Sequence, residues 1–147
     1  MAGKQDARIL FAFCLAVGGV FVWAAVLKIR DPLAFAQDVA NYRVVGRAPA
    51  FWVAIVLPWI ELVCGLCLIV GIRRRTSALL ASLMLAGFVV LVAVTMIRGI
   101  DVDCGCFGGL SGKADFGLLL QDAALLAMSA TVFASKTDAL GSIGRRR

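Results

Sequence analysis

The sequence predicts an all-α integral membrane protein, a four-helix bundle running up-down-up-down through the bilayer with a short interfacial helix in its first outer loop. Three observations predict it. Of the 147 residues, 62% are hydrophobic and 16% charged, with a mean hydropathy of +0.96; soluble domains hold about 45–50% apolar residues even with glycine counted. The apolar residues fall in four continuous runs, each long enough to cross a hydrocarbon core of about 30 Å as a helix, rather than in the alternation of a membrane β-barrel. Basic residues flank the runs asymmetrically. Disorder is excluded, because it needs low hydrophobicity and high charge.

The first span, 9–27, has 19 residues and no charge. It exceeds the h-region of about 7–15 residues of a secretory signal, and no small-x-small cleavage site precedes Lys28, so it is expected to remain as helix one. Asp31 then stands before Pro32 as an N-cap followed by proline at the first helical position, with Leu33, Phe35, Ala36, Val39, Ala40 and Tyr42 at helical intervals. This pattern fits an interfacial helix, either an anchor in the headgroups or the roof of a site. The second span, 48–72, has 25 residues and one charge, Glu61; the third, 76–97, has 22 and none; the fourth, 116–135, has 20 and one, Asp122. The whole of 1–147 reads as one transmembrane domain with tails at 1–8 and 136–147.

The short connection at 73–75 forces an antiparallel hairpin, while 28–47 and 98–115 are long enough to carry structure on the other face. The tails and the Arg73-Arg74-Arg75 turn hold nine Lys/Arg and two Asp, against six Lys/Arg and five Asp in the two long connections. Both termini are therefore expected in the cytoplasm and the 98–115 loop in the periplasm. The formal charge of +6 follows this topology, and no nucleic-acid-binding motif accompanies it.

The chain has no histidine, which removes the usual general base and histidine-based metal sites. Chemistry must fall to cysteines, carboxylates or a bound cofactor. Cys104-Gly105-Cys106 in the second long connection is the sharpest motif. An oxidising exterior favours a disulfide there, and so short a ring is strained, which raises its reduction potential and makes it an exchange partner. Phe107, Gly108 and Gly109 offer an apolar landing place for another protein's cysteine motif. A structural disulfide, or separate bridges to other chains, is the competing reading. The short loop favours redox activity, since closing it removes little unfolded-state entropy. Zinc would call for four Cys/His ligands in wider-spaced pairs, so no metal is expected. Cys64 and Cys67 spell C-x-x-C deep in the second span, away from that loop, and read with Cys14 as small packing residues.

Glu61 and Asp122 are the costly residues, since a carboxylate inside a span costs about 2.5–3.5 kcal/mol on insertion scales and is a functional-site candidate by default. Ala54, Pro58, Glu61 and Gly65 form a narrow stripe suited to close helix packing. Lys28 and Arg98 end the first and third spans and can bend inward. The four charges Lys28, Glu61, Arg98 and Asp122 are expected to cluster below the Cys-Gly-Cys loop, as a packing network or as groups that handle protons and hydrogen-bond a quinone. Trp59 and Glu61 are the candidate quinone contacts.

Leu27-Lys28, Asp31-Pro32, Phe35-Ala36 and Tyr42-Arg43, then Leu57-Pro58-Trp59-Ile60-Glu61 with Gly65 and Gly71, then Arg98-Gly99 and Asp103-Cys104-Gly105-Cys106-Phe107-Gly108, together resemble the MauE, methylamine-utilisation, branch of the DoxX-like membrane proteins. The resemblance spans nearly all four helices. It implies a four-helix inner-membrane protein tied to redox maturation of exported proteins, with a periplasmic thioredoxin-like partner or a disulfide-containing client. Relatives in the wider group imply quinone coupling. The resulting expectation is a thiol–disulfide oxidoreductase in which Cys104 and Cys106 accept electrons and a quinone removes them. The rivals are a non-enzymatic maturation scaffold for a periplasmic client and a small-molecule carrier; against the carrier stands the lack of an inverted repeat or paired broken helices.

Overall fold

The computed structural model describes residues 2–43, 46–99 and 116–135. Five helices account for nearly all of them: α1 (Ala2–Arg30), α2 (Pro32–Asn41), α3 (Arg47–Val70), α4 (Arg74–Ile97) and α5 (Phe116–Ala134). Four correspond to the expected spans and α2 to the expected interfacial helix. The helices run a little beyond the apolar windows because the flanking polar residues continue the turn pattern outside the hydrocarbon. Three of them, over Arg8–Arg30, Arg47–Val70 and Arg74–Ile97, are long and apolar enough to cross a membrane. The fourth, α5, is shorter; its 19 residues reach about 28 Å at 1.5 Å per residue.

Two left-handed residues make the tight reversal between α3 and α4. Gly71 caps α3 with φ 84° and its N–H on the Cys67 carbonyl, and Arg73 follows with φ 45°. Glycine suits the first of these positions because a Cβ there would also lie 2.8 Å from the Arg74 guanidinium. The neighbouring arginines then clamp this end of the bundle: Arg74 lies over the Phe11 ring and Arg75 over the Phe133 ring.

Around the bundle the order is α1, α3, α4, α5. The most extensive packing joins α1 to α3 and α4 to α5, while α3–α4 and α1–α5 close the ring. Ser129 of α5 donates to the Ala78 carbonyl of α4 at 2.8 Å and lies 2.9 Å from Ser82 Oγ, a hydroxyl pair that pins two antiparallel helices where lipid supplies no hydrophobic drive. The core holds Cys14, Val17 and Phe21 of α1, Cys64 and Leu68 of α3, Ala78, Ala81 and Leu85 of α4, and Leu125 and Val132 of α5. Outward-facing positions are also apolar, among them Trp23, Trp52, Leu83, Val90 and Leu120, all more than half exposed; a surface of this kind suits lipid rather than water.

The helix α2 follows α1 after a single residue. Asp31 accepts a hydrogen bond from the Ala34 N–H at 3.0 Å, and Pro32 takes the first helical position, as the sequence anticipates. Lying on α3 and touching α1, α2 buries Phe35 and Tyr42, the latter edge-on against Phe88 of α4. It roofs the end of the bundle from which both long connections leave.

Candidate functional site

The site is set out by a backbone contact between α1 and α3. A Cβ on Gly18 would lie 2.8 Å from the Gly65 carbonyl oxygen, and one on Gly65 would lie 2.8 Å from the Gly18 carbonyl oxygen. Only glycine on both helices permits this approach. The stripe Ala54, Pro58, Glu61 and Gly65 is buried throughout, as the spacing of its small residues requires.

Measured from that crossing, Lys28 stands ten residues further along α1 and Glu61 four residues back along α3, or about 15 Å and about 6 Å toward the same end. The remaining gap of about 9 Å is closed because helical side chains tilt toward their own N-terminus. In an antiparallel pair this sends Lys28 into the bundle and Glu61 up to meet it. Lys28 Nζ donates to both carboxylate oxygens, at 2.7 and 2.8 Å, with the two residues 3% and 8% exposed. The same ammonium lies 4.9 Å from the Phe35 ring centre and 5.9 Å from that of Phe88. Two aromatic faces thus take the place of water around the cation.

Asp122 enters from α5. It is 6% exposed, and its Oδ2 is buried with no hydrogen-bond partner among the described residues. Lys28, Glu61, Phe88 and Asp122 bring one polar or aromatic group from each of the four long helices to the wall of one cavity of about 50 Å³. Among the described residues these are the buried charges, and they share a single chamber. It can hold a proton, order a water, and present an N–H donor beside a carboxyl oxygen.

The structure separates other residues that the sequence grouped with these. Arg98 is exposed at the C-cap of α4, with its N–H on the Val94 and Met96 carbonyls, and lines no part of the chamber. Trp59 is 55% exposed and faces a lipid-side groove of about 500 Å³ between α3 and α4; only two residues from Glu61, it points about 200° away on the helical wheel. Cys14 and Cys64 are buried free thiols, and Cys64 donates to the Ser77 carbonyl at 3.2 Å. Cys67 is partly exposed and lines the same groove as Trp59. All three behave as packing residues. Cys104, Cys106 and the other outer-loop residues at 100–115 lie outside the described residues.

Two features escaped the sequence. Phe35 and Phe88 as a box for Lys28 carry no local signal, since each reads as an ordinary core aromatic. Gly18 opposite Gly65 had a signal, a glycine on each of two packed spans, but no way to set their relative depth.

Comparison with known proteins completes the description. A family model described as methylamine utilisation protein MauE matches residues 6–135, which takes in all the helices and the Cys-Gly-Cys connection. Methylamine utilization protein MauE of Paracoccus denitrificans is 31% identical over 126 residues, 84% of this chain and 68% of that protein. Its counterpart in Methylophilus methylotrophus is 32% identical over 143 residues, 93% and 74% respectively. The protein of the same name in Methylorubrum extorquens is 33% identical over 104 residues, 69% and 56%. No solved structure matches the chain. With a family model covering the length of the bundle and relatives above 30% identity across most of it, the chain belongs to the MauE family.

Proposed function

We propose that this MauE-family membrane protein serves methylamine utilisation as a thiol–disulfide redox protein of the inner membrane, with both termini cytoplasmic and the 98–115 loop periplasmic. The observation that carries the reading is the position of the charged chamber. It lies in the end of the bundle that α2 roofs, and the connection bearing Cys104-Gly105-Cys106 joins α4 to α5 at that same end. Asp122 stands six residues after Phe116, about 9 Å down the helix from where that loop enters it.

The Cys104–Cys106 disulfide receives two electrons from the dithiol of a periplasmic thioredoxin-like partner or an exported client. The partner's thiolate attacks one sulfur, a mixed disulfide forms, and the partner leaves as a disulfide while Cys104 and Cys106 become thiols. A membrane quinone is the oxidising substrate, so that dithiol and quinone give disulfide and quinol, two electrons and two protons passing between them. The chamber handles those protons. Glu61 has both oxygens engaged by Lys28 and Trp59 faces lipid, which leaves the third N–H of Lys28 and the carboxyl of Asp122 as the groups able to face a quinone oxygen.

Mass-tagging of intact cells with a membrane-impermeant thiol reagent, with and without prior reduction, tests this. Cys104 and Cys106 are expected to be oxidised at rest and to accumulate as accessible thiols when quinone is depleted. A pair that stays bonded under depletion, together with unimpaired client maturation in a Cys104→Ser/Cys106→Ser variant, would overturn the redox reading in favour of a maturation scaffold.

A further inference from the structure

The ion pair leaves one interior group unmatched. Lys28 Nζ spends two N–H groups on Glu61, at 2.7 and 2.8 Å, and retains a third. Asp122 Oδ2 is fully enclosed and lacks a partner among the described residues. Between them is the chamber of about 50 Å³, several times the roughly 10–15 Å³ that one water needs. The ionisable groups that face Asp122 across it are Lys28 from α1 and Glu61 from α3; α4 contributes Met84, Leu85 and Phe88, none of which titrates.

These groups are not equivalent. A proton added to Glu61 would break a charge-assisted hydrogen bond on each of its oxygens and strand the Lys28 ammonium between two aromatic rings, whereas a proton added to Asp122 breaks nothing. With both carboxyls ionised the chamber carries one negative charge in excess of Lys28; one proton on Asp122 removes it. A metal cation does not fit this donor set. Hard cations ask for about six oxygens, and apart from Asp122 the wall offers hydrocarbon and a carboxylate already committed to Lys28.

We propose that the chamber is a hydrated proton-exchange site, in which water bridges the third N–H of Lys28 to Oδ2 of Asp122 and Asp122 takes up and returns a single proton while Glu61 remains the fixed counter-charge of Lys28. Uptake turns the Asp122 carboxylate into a neutral acid and release restores it, with no electron transferred. The inference deepens the redox reading, since it names the group through which the chamber handles protons, and it stands if the outer thiols prove structural.

The test is infrared difference spectroscopy on the full chain in lipid bilayers, between mildly acidic and mildly alkaline pH, with aspartate carboxyl groups labelled with carbon-13. The expected result is a protonated-carboxyl band that carries the isotope shift, moves down in deuterium oxide and vanishes as pH rises. Subtracting the Asp122→Asn spectrum isolates it from the other seven aspartates. The band is lost in Asp122→Asn, returns at a displaced frequency in Asp122→Glu, and persists in Cys104→Ser/Cys106→Ser; continued shielding of Cys64 from alkylation shows that each variant is folded. A folded protein with no such band, a band that survives Asp122→Asn, or a carboxylate that stays ionised throughout and binds added sodium or methylammonium would each overturn the proposal. The mass-tagging result bears on the thiols alone, so the two readings fail separately.

Discussion

Lys28 and Glu61 show how far a single residue can be read from sequence inside a membrane. A carboxylate in a 25-residue apolar run and a lysine at the end of another have few ways to avoid their desolvation cost, and pairing is the cheapest. That much was legible. Arg98 looked equivalent to Lys28, yet its position just beyond α4 leaves it in solvent, because whether a terminal cation bends inward depends on helix rotation and on aromatic neighbours that sequence does not place. Trp59 was legible and misgrouped, since two residues on a helix oppose one another. The ion pair gives a direct prediction. Lys28→Met or Glu61→Gln alone leaves a buried charge or dipole unmatched and lowers unfolding stability by about 3–5 kcal/mol, whereas Lys28→Met/Glu61→Met together costs much less than the sum. Reversible unfolding of the four proteins in detergent or bilayers reads the coupling; additive losses would show that the pair does not act as a unit.

At the scale of the element, α1 and α3 meet through glycine rather than through side chains. A methyl at Gly65 would meet the Gly18 carbonyl at 2.8 Å and the Phe21 Cβ at 3.1 Å, both rigidly held, whereas one at Gly19 meets nothing within 4 Å. Gly65→Ala is therefore expected to destabilise by about 1–3 kcal/mol, and Gly19→Ala to be neutral or to stabilise by up to about 1 kcal/mol through helix propensity. Thermal melts of the two variants side by side check this, and equal effects would place the crossing elsewhere. The helices themselves were readable to within a few residues because charge-free runs of 19 to 25 residues have one solution in lipid. The interfacial helix α2 was readable from Asp31-Pro32, a local cap and start. Its tertiary job, carrying Phe35 onto the Lys28 ammonium, was not, because it depends on a loop closing over two other helices.

For the whole molecule, the closed order α1, α3, α4, α5 buries Cys14 and Cys64 in the centre and leaves Cys67 on the groove between α3 and α4. A small membrane-permeant maleimide is accordingly expected to modify Cys67 well before Cys14 or Cys64 in the folded protein, as followed by mass spectrometry; simultaneous labelling of all three would contradict the packing order. Up-down topology followed from the short arginine turn, while the neighbour relations around the ring could not, since four amphipathically weak, lipid-compatible helices pack in either hand. The Gly18–Gly65 contact also gives the bundle mechanics. It is a fulcrum, and α1 is a lever whose arm to Lys28 is about 15 Å. Rocking α1 by about 5° over this point carries the base of Lys28 through about 1.3 Å, enough to open a 2.7 Å hydrogen bond. Because α2 is hinged to the tip of that arm by Asp31 alone, a protein docking on the outer loops would work the lever directly, and the first bond it would stretch is the one that holds Lys28 away from Asp122.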